Sequence, residues 1–201
     1  MLGKPVAKEL INAGFDVTLL ARDINKMQQL FPDTKIIPGD VFDKEGLKKA
    51  FAGQDIVYMN LSVNQSSKEK HPQTEREGIA NVIAVAKETG IKRIGYLSSL
   101  VKNYQGINGF NWWSFDIKHK AVDTIRSSGI AYSIFYPSTF MECLDQQMLR
   151  GNKLMMVTGS VAKMWFVAAK DYGKQVVKAF QIAGHSNQEY AFGWCRHESH
   201  P

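Results

Sequence analysis

Several side chains that could do chemistry stand where short apolar runs of the sequence end. Arg22 follows the apolar run 16–21, Ser98 ends the run 93–98, and Ser99 comes directly after it. In open α/β sheets, ligands bind beyond the carboxyl ends of the strands. A guanidinium at such a position can hold a phosphate through charge-assisted hydrogen bonds, and a hydroxyl can orient a substrate. The alternative for Arg22 is a solvated surface arginine whose charge the adjacent Asp23 could neutralise.

A second candidate for phosphate binding is Gly3, at the start of the first predicted helix. A helix N-terminus presents free amide groups and the positive end of the helix dipole, so it attracts anions. A glycine there also lets the helix pack closely on a sheet. Taken alone, Gly3 is explained equally well as a simple turn residue.

These positions need a framework of strands and helices, and the sequence predicts one. The predicted strands are short and mostly apolar, as is typical of a parallel sheet buried on both faces; they are 16–21, 35–38, 55–61, 93–98 and 131–136. The predicted helices are 4–13, 74–89 and 116–127, of which the second opens with Thr74 and Glu77 at capping-box spacing and ends at Gly90. This alternation predicts a doubly wound, Rossmann-like α/β fold, with a mostly parallel sheet and helices on both faces.

The chain starts on a helix, so the first strand of such a fold is missing. In a doubly wound dinucleotide-binding fold, that strand lies in the middle of the sheet, between the second and the fourth. We therefore expect the strands 16–21 and 55–61 each to have one unpaired edge. A mis-assigned start and a truncated product are both open explanations.

Composition restricts the class of protein. The chain has 201 residues with a formal net charge of +6, and its 44% hydrophobic and 22% charged residues are typical of one globular domain with a small annex. Cys143 and Cys195 are too few for a disulfide framework, so we expect reduced thiols and a cytoplasmic protein. No apolar run is long enough to span a bilayer, and the scattered Lys and Arg residues argue against a nucleic-acid partner. Cys195, His197 and His200 lack a fourth ligand, so we predict no metal site.

Three segments carry a specific resemblance. They are GKPVAKEL with the following Gly14 and the strand up to Arg22, EGIANVIAVAKETGIKRIGYLSS at 77–99, and the segment 118–142, which contains RSSGIAYSIFYPSTFME. Together they cover most of residues 3–142 and resemble the atypical short-chain dehydrogenase/reductases of the NmrA-like, NAD(P)H-binding group. The resemblance implies an NAD(P)-binding Rossmann-like domain at 1–150 and the remnant of a small C-terminal substrate lobe at 151–201.

The resemblance also implies a row of cofactor contacts. Gly3 matches the last glycine of the family's phosphate-binding loop, and Asp40 and Val41 match its adenine pocket. Arg22 stands where NAD-selective proteins place an acid, which favours NADP(H) over NAD(H). The remaining expected contacts are Asn60, Leu61, Ser62, Ser98, Lys118, Tyr136 and Pro137. A turn-forming Asn-x-Ser is the alternative at 60–62, and Tyr136 replaces the arginine that is usual in the family.

Lys118 matches the lysine of the superfamily's Tyr-x-x-x-Lys pair, and we predict that Lys118 and Ser99 are the catalytic groups. The tyrosine would stand four residues before the lysine, where this sequence has Ser114. A serine hydroxyl does not readily donate a proton near neutral pH. Two interpretations are therefore open: Lys118 is the general acid, or the site binds its cofactor without turnover. A further alternative is that Tyr104, in the preceding loop, supplies the phenol that is missing at position 114.

Aromatic side chains precede Lys118, and they either wall an apolar substrate pocket or pack under a loop; they are Phe110, Trp112, Trp113 and Phe115. The combined prediction is an NADP(H)-dependent oxidoreductase that reduces a small apolar carbonyl or quinone-like substrate. The alternative is a non-catalytic NAD(P)-binding redox sensor with a protein partner. Beyond residue 150 we predict only a strand at 153–158 and a helix at 171–183, and the oligomeric state is left open.

Overall fold

The computed structural model describes residues 2–63, 66–100, 103, 105–143, 149–150, 153–154 and 165–192. The helices in this part of the chain are α1 (Gly3–Asn12), α2 (Ile24–Leu30), α3 (Lys44–Phe51), α4 (Ile79–Thr89), α5 (Trp113–Arg126) and α6 (Ala169–Ile182). The longer strands are β1 (Thr18–Ala21), β2 (Lys35–Pro38), β3 (Ile56–Met59), β4 (Arg93–Leu97), β5 (Ala131–Pro137) and β10 (Gln188–Phe192). Four two-residue strands lie between β5 and α6: β6 (Thr139–Phe140), β7 (Leu149–Arg150), β8 (Lys153–Leu154) and β9 (Phe166–Val167).

The main sheet has the strand order β10-β5-β4-β3, and all its pairs are parallel. Strands β1 and β2 form a separate parallel pair. In the described residues, β1 and β3 each pair on one side only, as the sequence predicts. The short strands pair β6 with β9 and, antiparallel, β7 with β8. The prediction of a mostly parallel sheet is confirmed, whereas strand β10 was not predicted.

Helices cover both faces of the sheet. Helices α3, α4 and α5 share one apolar core with the strands, in which Ile79, Ile94 and Ile125 are completely buried. Helices α1 and α6 pack against each other on the opposite face, around the buried Val6 and Tyr172. These two layers give the doubly wound arrangement that the sequence predicts.

The segment before α4 differs from the prediction. It begins as a π-helical turn, Thr74–Gly78, and becomes α-helical only from Ile79. The predicted capping box is wrong, because Thr74 Oγ1 donates to the carbonyl of Ser62 and the Glu77 carboxylate accepts from the backbone N–H of Gln73, the N-cap residue. Gly90 ends α4 as predicted, at the left-handed φ of 75° that glycine adopts without strain.

The chain after residue 150 contributes to the same layers. Helix α6 covers part of the predicted helix 171–183, and β10 adds to the edge of the main sheet beside β5. Of the predicted strand 153–158, Lys153 and Leu154 form β8, and the rest lies outside the described residues. No helix in the described part of the chain has the length and apolarity that a membrane crossing requires.

Candidate cofactor and active site

The carboxyl ends of the parallel strands gather most of the predicted site residues at one edge. Asn60 follows β3, Ser98 follows β4, and Pro137 ends β5, so the three lie along the same edge of the main sheet. Arg22 and Asp40 follow β1 and β2 and occupy the corresponding edge of the smaller sheet. This common edge is where an open α/β fold binds its ligand.

The N-terminus of α1 lies against the loop after β3. A Cβ atom built on Gly3 would be 3.3 Å from the Asn60 side-chain nitrogen, so little room is left for a larger residue. No side chain caps this end of α1, and its N-cap position is Leu2. The amide groups of the first turn therefore face the sheet edge without a side-chain acceptor, as anion binding requires.

Arg22 and Asp40 form a loose ion pair across the smaller sheet. The Arg22 Nε is 3.7 Å from Asp40 Oδ2, and the arginine side chain is 82% exposed. Asp23, which could have neutralised the arginine, instead accepts a hydrogen bond from the backbone N–H of Lys26 and caps α2. The arginine head therefore keeps most of its donors available to a ligand.

The residues of the expected adenine pocket are fixed by backbone contacts. Asp40 Oδ1 accepts a hydrogen bond from the N–H of Phe42, and the carbonyl of Val41 accepts one from the Asn81 side chain. A Cβ at Gly78 would be 2.5 Å from a methyl group of Val41, so that only glycine fits opposite this residue. These contacts hold residues 40–42 against the start of α4.

The loop 60–63 is held in place by the π-helical turn. Leu61 packs against the core formed with α3, α4 and α5, whereas Ser62 is exposed. The carbonyl of Ser62 accepts the hydrogen bond from Thr74, and the N–H of Val63 donates to the Glu75 carboxylate at 3.1 Å. The structure thus connects this predicted cofactor loop to a helix that the sequence analysis did not associate with the site.

Lys118 does not stand free at the site. Its ammonium donates a hydrogen bond to Glu75 Oε1 at 2.5 Å, and the side chains are 15% and 0% exposed. The Tyr96 hydroxyl donates to the same oxygen at 2.5 Å, and the Lys118 Nζ lies 5.8 Å from the centroid of the Tyr96 ring. Burial, together with the neighbouring Glu75 carboxylate, raises the pKa of Tyr96 well above its ordinary value.

Ser98 and Ser114 complete this side of the edge. Ser98 is 3% exposed, and its hydroxyl has no hydrogen-bond partner among the described residues, which is an unusual state for a buried polar group. Because side chains alternate along a strand, Ser98 faces the same side of the sheet as Tyr96. Ser114 is buried one helical turn before Lys118, at the position where a tyrosine was expected. Ser99, which follows, is half-buried.

The Tyr136 side chain is directed away from the cofactor edge. Its hydroxyl donates to the Glu189 carboxylate at 2.8 Å, and Arg126 donates to the same carboxylate through Nε and Nη2. Burial and the hydrogen bond to Glu189 raise the pKa of Tyr136. Any cofactor contact at this position therefore falls to the backbone of Tyr136 and to Pro137, which is buried at the end of β5.

The aromatic residues before Lys118 form an exposed group at the N-terminus of α5. Phe110 is 49% and Trp112 37% exposed. Their rings lie 5.7 and 5.0 Å from the ring of Phe115, centroid to centroid. Of the two interpretations, packing beneath a loop is wrong for Phe110 and Trp112, because both rings contact solvent.

Sequence reasoning missed Glu75. Its partner Lys118 lies 43 residues further along the chain, and no local pattern connects the two residues. Tyr104, Cys195, His197 and His200 lie outside the described residues. In the part of the chain that the structure does describe, no group of three or more His, Cys, Asp and Glu side chains could hold a metal ion.

The doubly wound sheet, the uncapped helix N-terminus beside Asn60 and the polar groups at one sheet edge define a dinucleotide-binding α/β protein. The particular family follows from the sequence. Residues 1–181 match the family described as NAD(P)H-binding, and the chain belongs to this family. The expected membership of an NAD(P)H-binding family is thereby confirmed.

Solved structures similar to this chain share its fold. A Rossmann-fold NAD(P)-binding family protein from Shigella flexneri is 25% identical, with a TM-score of 0.65, over 92% of this chain and 83% of that one. A nucleoside-diphosphate-sugar epimerase from Staphylococcus aureus is 18% identical, with a TM-score of 0.74, over 96% and 68%. An NADPH-dependent quinone oxidoreductase from Escherichia coli is 20% identical, with a TM-score of 0.72, over 94% of this chain and 64% of that one. The search of curated proteins gave no match.

Proposed function

We propose that this protein is an NADP(H)-dependent oxidoreductase that reduces a small apolar carbonyl or quinone-like compound. The observation that carries the proposal is a pair of polar features near the carboxyl end of β4. The Lys118 ammonium is held by Glu75 over the ring of Tyr96, and the buried hydroxyl of Ser98 has no hydrogen-bond partner in the described part of the chain. A family that binds NAD(P)H supplies the context for this group. The similar quinone oxidoreductase is compatible with the substrate class.

The cofactor would lie along the edge described above. The first turn of α1 at Gly3 would hold the pyrophosphate, and residues 60–62 would line its ribose side. Asp40 and Val41 would contact the adenine. The exposed Arg22 head, which pairs only loosely with Asp40 while Asp23 caps α2, favours a cofactor with a 2′-phosphate.

The chemistry supplied by a bound nicotinamide would be hydride donation to the carbonyl carbon. Lys118 would donate a proton from its ammonium to the carbonyl oxygen and regain one from solvent, because Ser114 provides no phenol for this step. The Ser99 hydroxyl would orient the substrate oxygen, and the buried Ser98 hydroxyl would bond the cofactor. Phe110 and Trp112, exposed beside the start of α5, would form an apolar wall for the substrate.

Turnover is tested in stopped flow by following the loss of the NADPH absorbance band with a panel of quinones and enones. Lys118→Arg is the diagnostic variant, because arginine keeps the charge next to Glu75 but does not release a proton. We expect Lys118→Arg to lower kcat by about a hundredfold while NADPH binding is retained. Lys120→Arg, on the exposed pair with Asp116, is the matched control and is expected to leave kcat unchanged. An unchanged kcat in Lys118→Arg would exclude the lysine as the proton donor.

Cofactor preference is tested separately by binding. We expect Arg22→Ala to weaken NADPH binding by about tenfold or more, through loss of a charge-assisted contact, and to leave NADH binding unchanged. Lys92→Ala is the control, since Lys92 is an exposed cation that pairs with Asp55 at the opposite, amino edge of the sheet. Equal loss of NADPH and NADH affinity in Arg22→Ala would contradict the preference for NADP(H).

A second candidate function is a non-catalytic NAD(P)-binding redox sensor with a protein partner. The observation that favours it is the pair Ser114 and Lys118, in which the phenol is absent and the lysine is already bound to Glu75. Tight NADPH binding without turnover of any compound in the panel would support the sensor, and steady-state reduction would exclude it. We place either function in the cytoplasm, because the two cysteines provide no disulfide framework.

A further inference from the structure

Glu75 is a completely buried carboxylate on a short π-helical turn. Its side chain is 0% exposed, and the turn Thr74–Gly78 directly precedes α4. Burying a carboxylate is costly unless hydrogen bonds and an opposite charge compensate for the lost water. Single π-helical turns of this kind occur often at functional sites. The partners of Glu75 therefore indicate what the residue is for.

The three hydrogen bonds to Glu75 come from three different parts of the site. Oε1 accepts from the Lys118 ammonium on α5 and from the Tyr96 hydroxyl on β4, and Oε2 accepts from the N–H of Val63 after β3. The neighbouring Thr74 adds a fourth connection, to the carbonyl of Ser62. One carboxylate thus joins the predicted proton donor to the loop that is predicted to line the cofactor.

We propose that Glu75 is a positioning residue that fixes the Lys118 ammonium and the loop 60–63 in one geometry. This inference rests on the proposed function, because the fixed geometry serves catalysis only if Lys118 is the proton donor and the loop lines the cofactor. The carboxylate holds the Lys118 ammonium by a hydrogen bond on the side of the sheet that carries Tyr96, whose ring centroid lies 5.8 Å from Nζ. It also keeps the backbone after β3 close to α5, so that cofactor and proton donor are held at a fixed separation.

The state of Lys118 can be measured without any turnover. Acetic anhydride reacts only with the free amine, and mass spectrometry after digestion gives the labelling rate of every lysine in the full chain. In the native protein at pH 8, we expect Lys118 to be labelled at least about tenfold more slowly than in the urea-unfolded chain, because its side chain is 15% exposed and its ammonium is hydrogen-bonded to Glu75. Lys120 is an internal control, since its pair with Asp116 is exposed, and its rate is expected to change much less.

Glu75→Gln removes the charge and keeps the shape. We expect the Lys118 labelling rate to rise by at least about tenfold in folded Glu75→Gln, while the rate of Lys120 stays the same. Asp116→Asn is the matched control, and it should change neither the Lys118 rate nor NADPH affinity. Glu75→Asp retains a carboxylate and is expected to recover slow labelling in part. If Glu75→Gln does not fold, the native-versus-unfolded comparison on the unaltered chain decides, and equal protection of Lys118 and Lys120 would overturn the proposal.

The proposal and the proposed function fail in different ways. Faster Lys118 labelling and weaker NADPH binding in Glu75→Gln, in a protein that reduces no compound of the panel, would support the positioning role and remove the reductase. Unchanged labelling and an unchanged pH dependence of kcat in Glu75→Gln, in a protein that does reduce quinones, would retain the reductase and refute the positioning role. If Glu75 had only a structural role, Glu75→Gln would lower the stability of the protein without changing the Lys118 labelling rate or the pH dependence of kcat.

Discussion

Arg93 offers a sharp test of how the C-terminal strand is fastened to the sheet. Its side chain is 4% exposed and donates four hydrogen bonds: Nη1 to the Tyr132 carbonyl and Ser133 Oγ, and Nη2 to the carbonyls of Gly184 and Ser186. Burial lowers the pKa of Arg93 below its ordinary value. The guanidinium therefore joins β4 and β5 to the turn between α6 and β10.

Arg93→Met keeps the length and the apolar stem but removes all four donors. Each hydrogen bond to a charged group contributes about 1.5–3 kcal/mol, but the variant also regains the free energy of desolvating the guanidinium. The acceptors left without a donor cost about 1–3 kcal/mol each, and part of this cost is offset because no guanidinium has to be desolvated, so we expect a net loss of about 3–5 kcal/mol. For a chain of this length, that loss corresponds to a fall in Tm of roughly 10 °C.

The assay is urea unfolding of the full chain, followed by circular dichroism and tryptophan fluorescence to check that the transitions coincide. Lys92→Met is the control one residue away, because Lys92 forms only an exposed pair with Asp55. We expect the control to unfold at the same urea concentration as the unaltered protein. A loss of less than about 1 kcal/mol in the free energy of unfolding of Arg93→Met would contradict this prediction, because four buried hydrogen bonds would then contribute no more than one typically does.

Two further predictions concern close packing and alkaline pH. Gly78→Ala should lower the free energy of unfolding by about 1–3 kcal/mol, because its Cβ would lie 2.5 Å from a Val41 methyl group; an unchanged urea midpoint would contradict this. Burial raises the pKa of Tyr58 above the ordinary value of 10.0, although its hydrogen bond with the Tyr172 hydroxyl opposes the shift. The neutral phenol is therefore favoured in the folded state. This preference adds to the free energy of unfolding in full below pH 10, and the added stability is lost as the pH rises above that value. Tyr58→Phe should make the fall in stability above pH 10 less steep, and a urea titration over this range with an identical slope in both proteins would contradict that expectation.

The alternation of strands and helices was predictable because the signals are local. Strands buried on both faces read as short apolar runs, and Gly90 ends its helix in a backbone conformation that favours glycine. Asp43 is likewise a local helix cap of a type common in sequences, since its carboxylate accepts a hydrogen bond from the backbone N–H of Glu45 at the start of α3. The site edge followed from topology alone, since parallel strands end at the same edge.

The features that were missed depend on contacts between distant segments. Strand β10 has alternating half-buried and exposed residues and pairs only with β5 in the described structure, so its five residues carry no continuous apolar run. The partner of Tyr136 lies 53 residues away, and that of Lys118 lies 43 residues away. No periodicity within one segment indicates which acid meets which lysine.

The buried pair of Glu75 and Lys118 is better explained by function than by stability. Replacing a buried ion pair with apolar residues of similar volume is often neutral or stabilising by about 1–4 kcal/mol. A buried ion pair therefore adds little to the stability of the fold that apolar side chains in its place would not also provide. Apolar residues would not, however, hold an ammonium beside the carboxyl end of β4, nor would they accept the N–H of Val63. The apolar core around it already packs α3, α4 and α5 against the sheet without help from charge. What the pair adds is a fixed cation next to the residues predicted to bind the cofactor, in a chain that has Ser114 at the position where a tyrosine was expected.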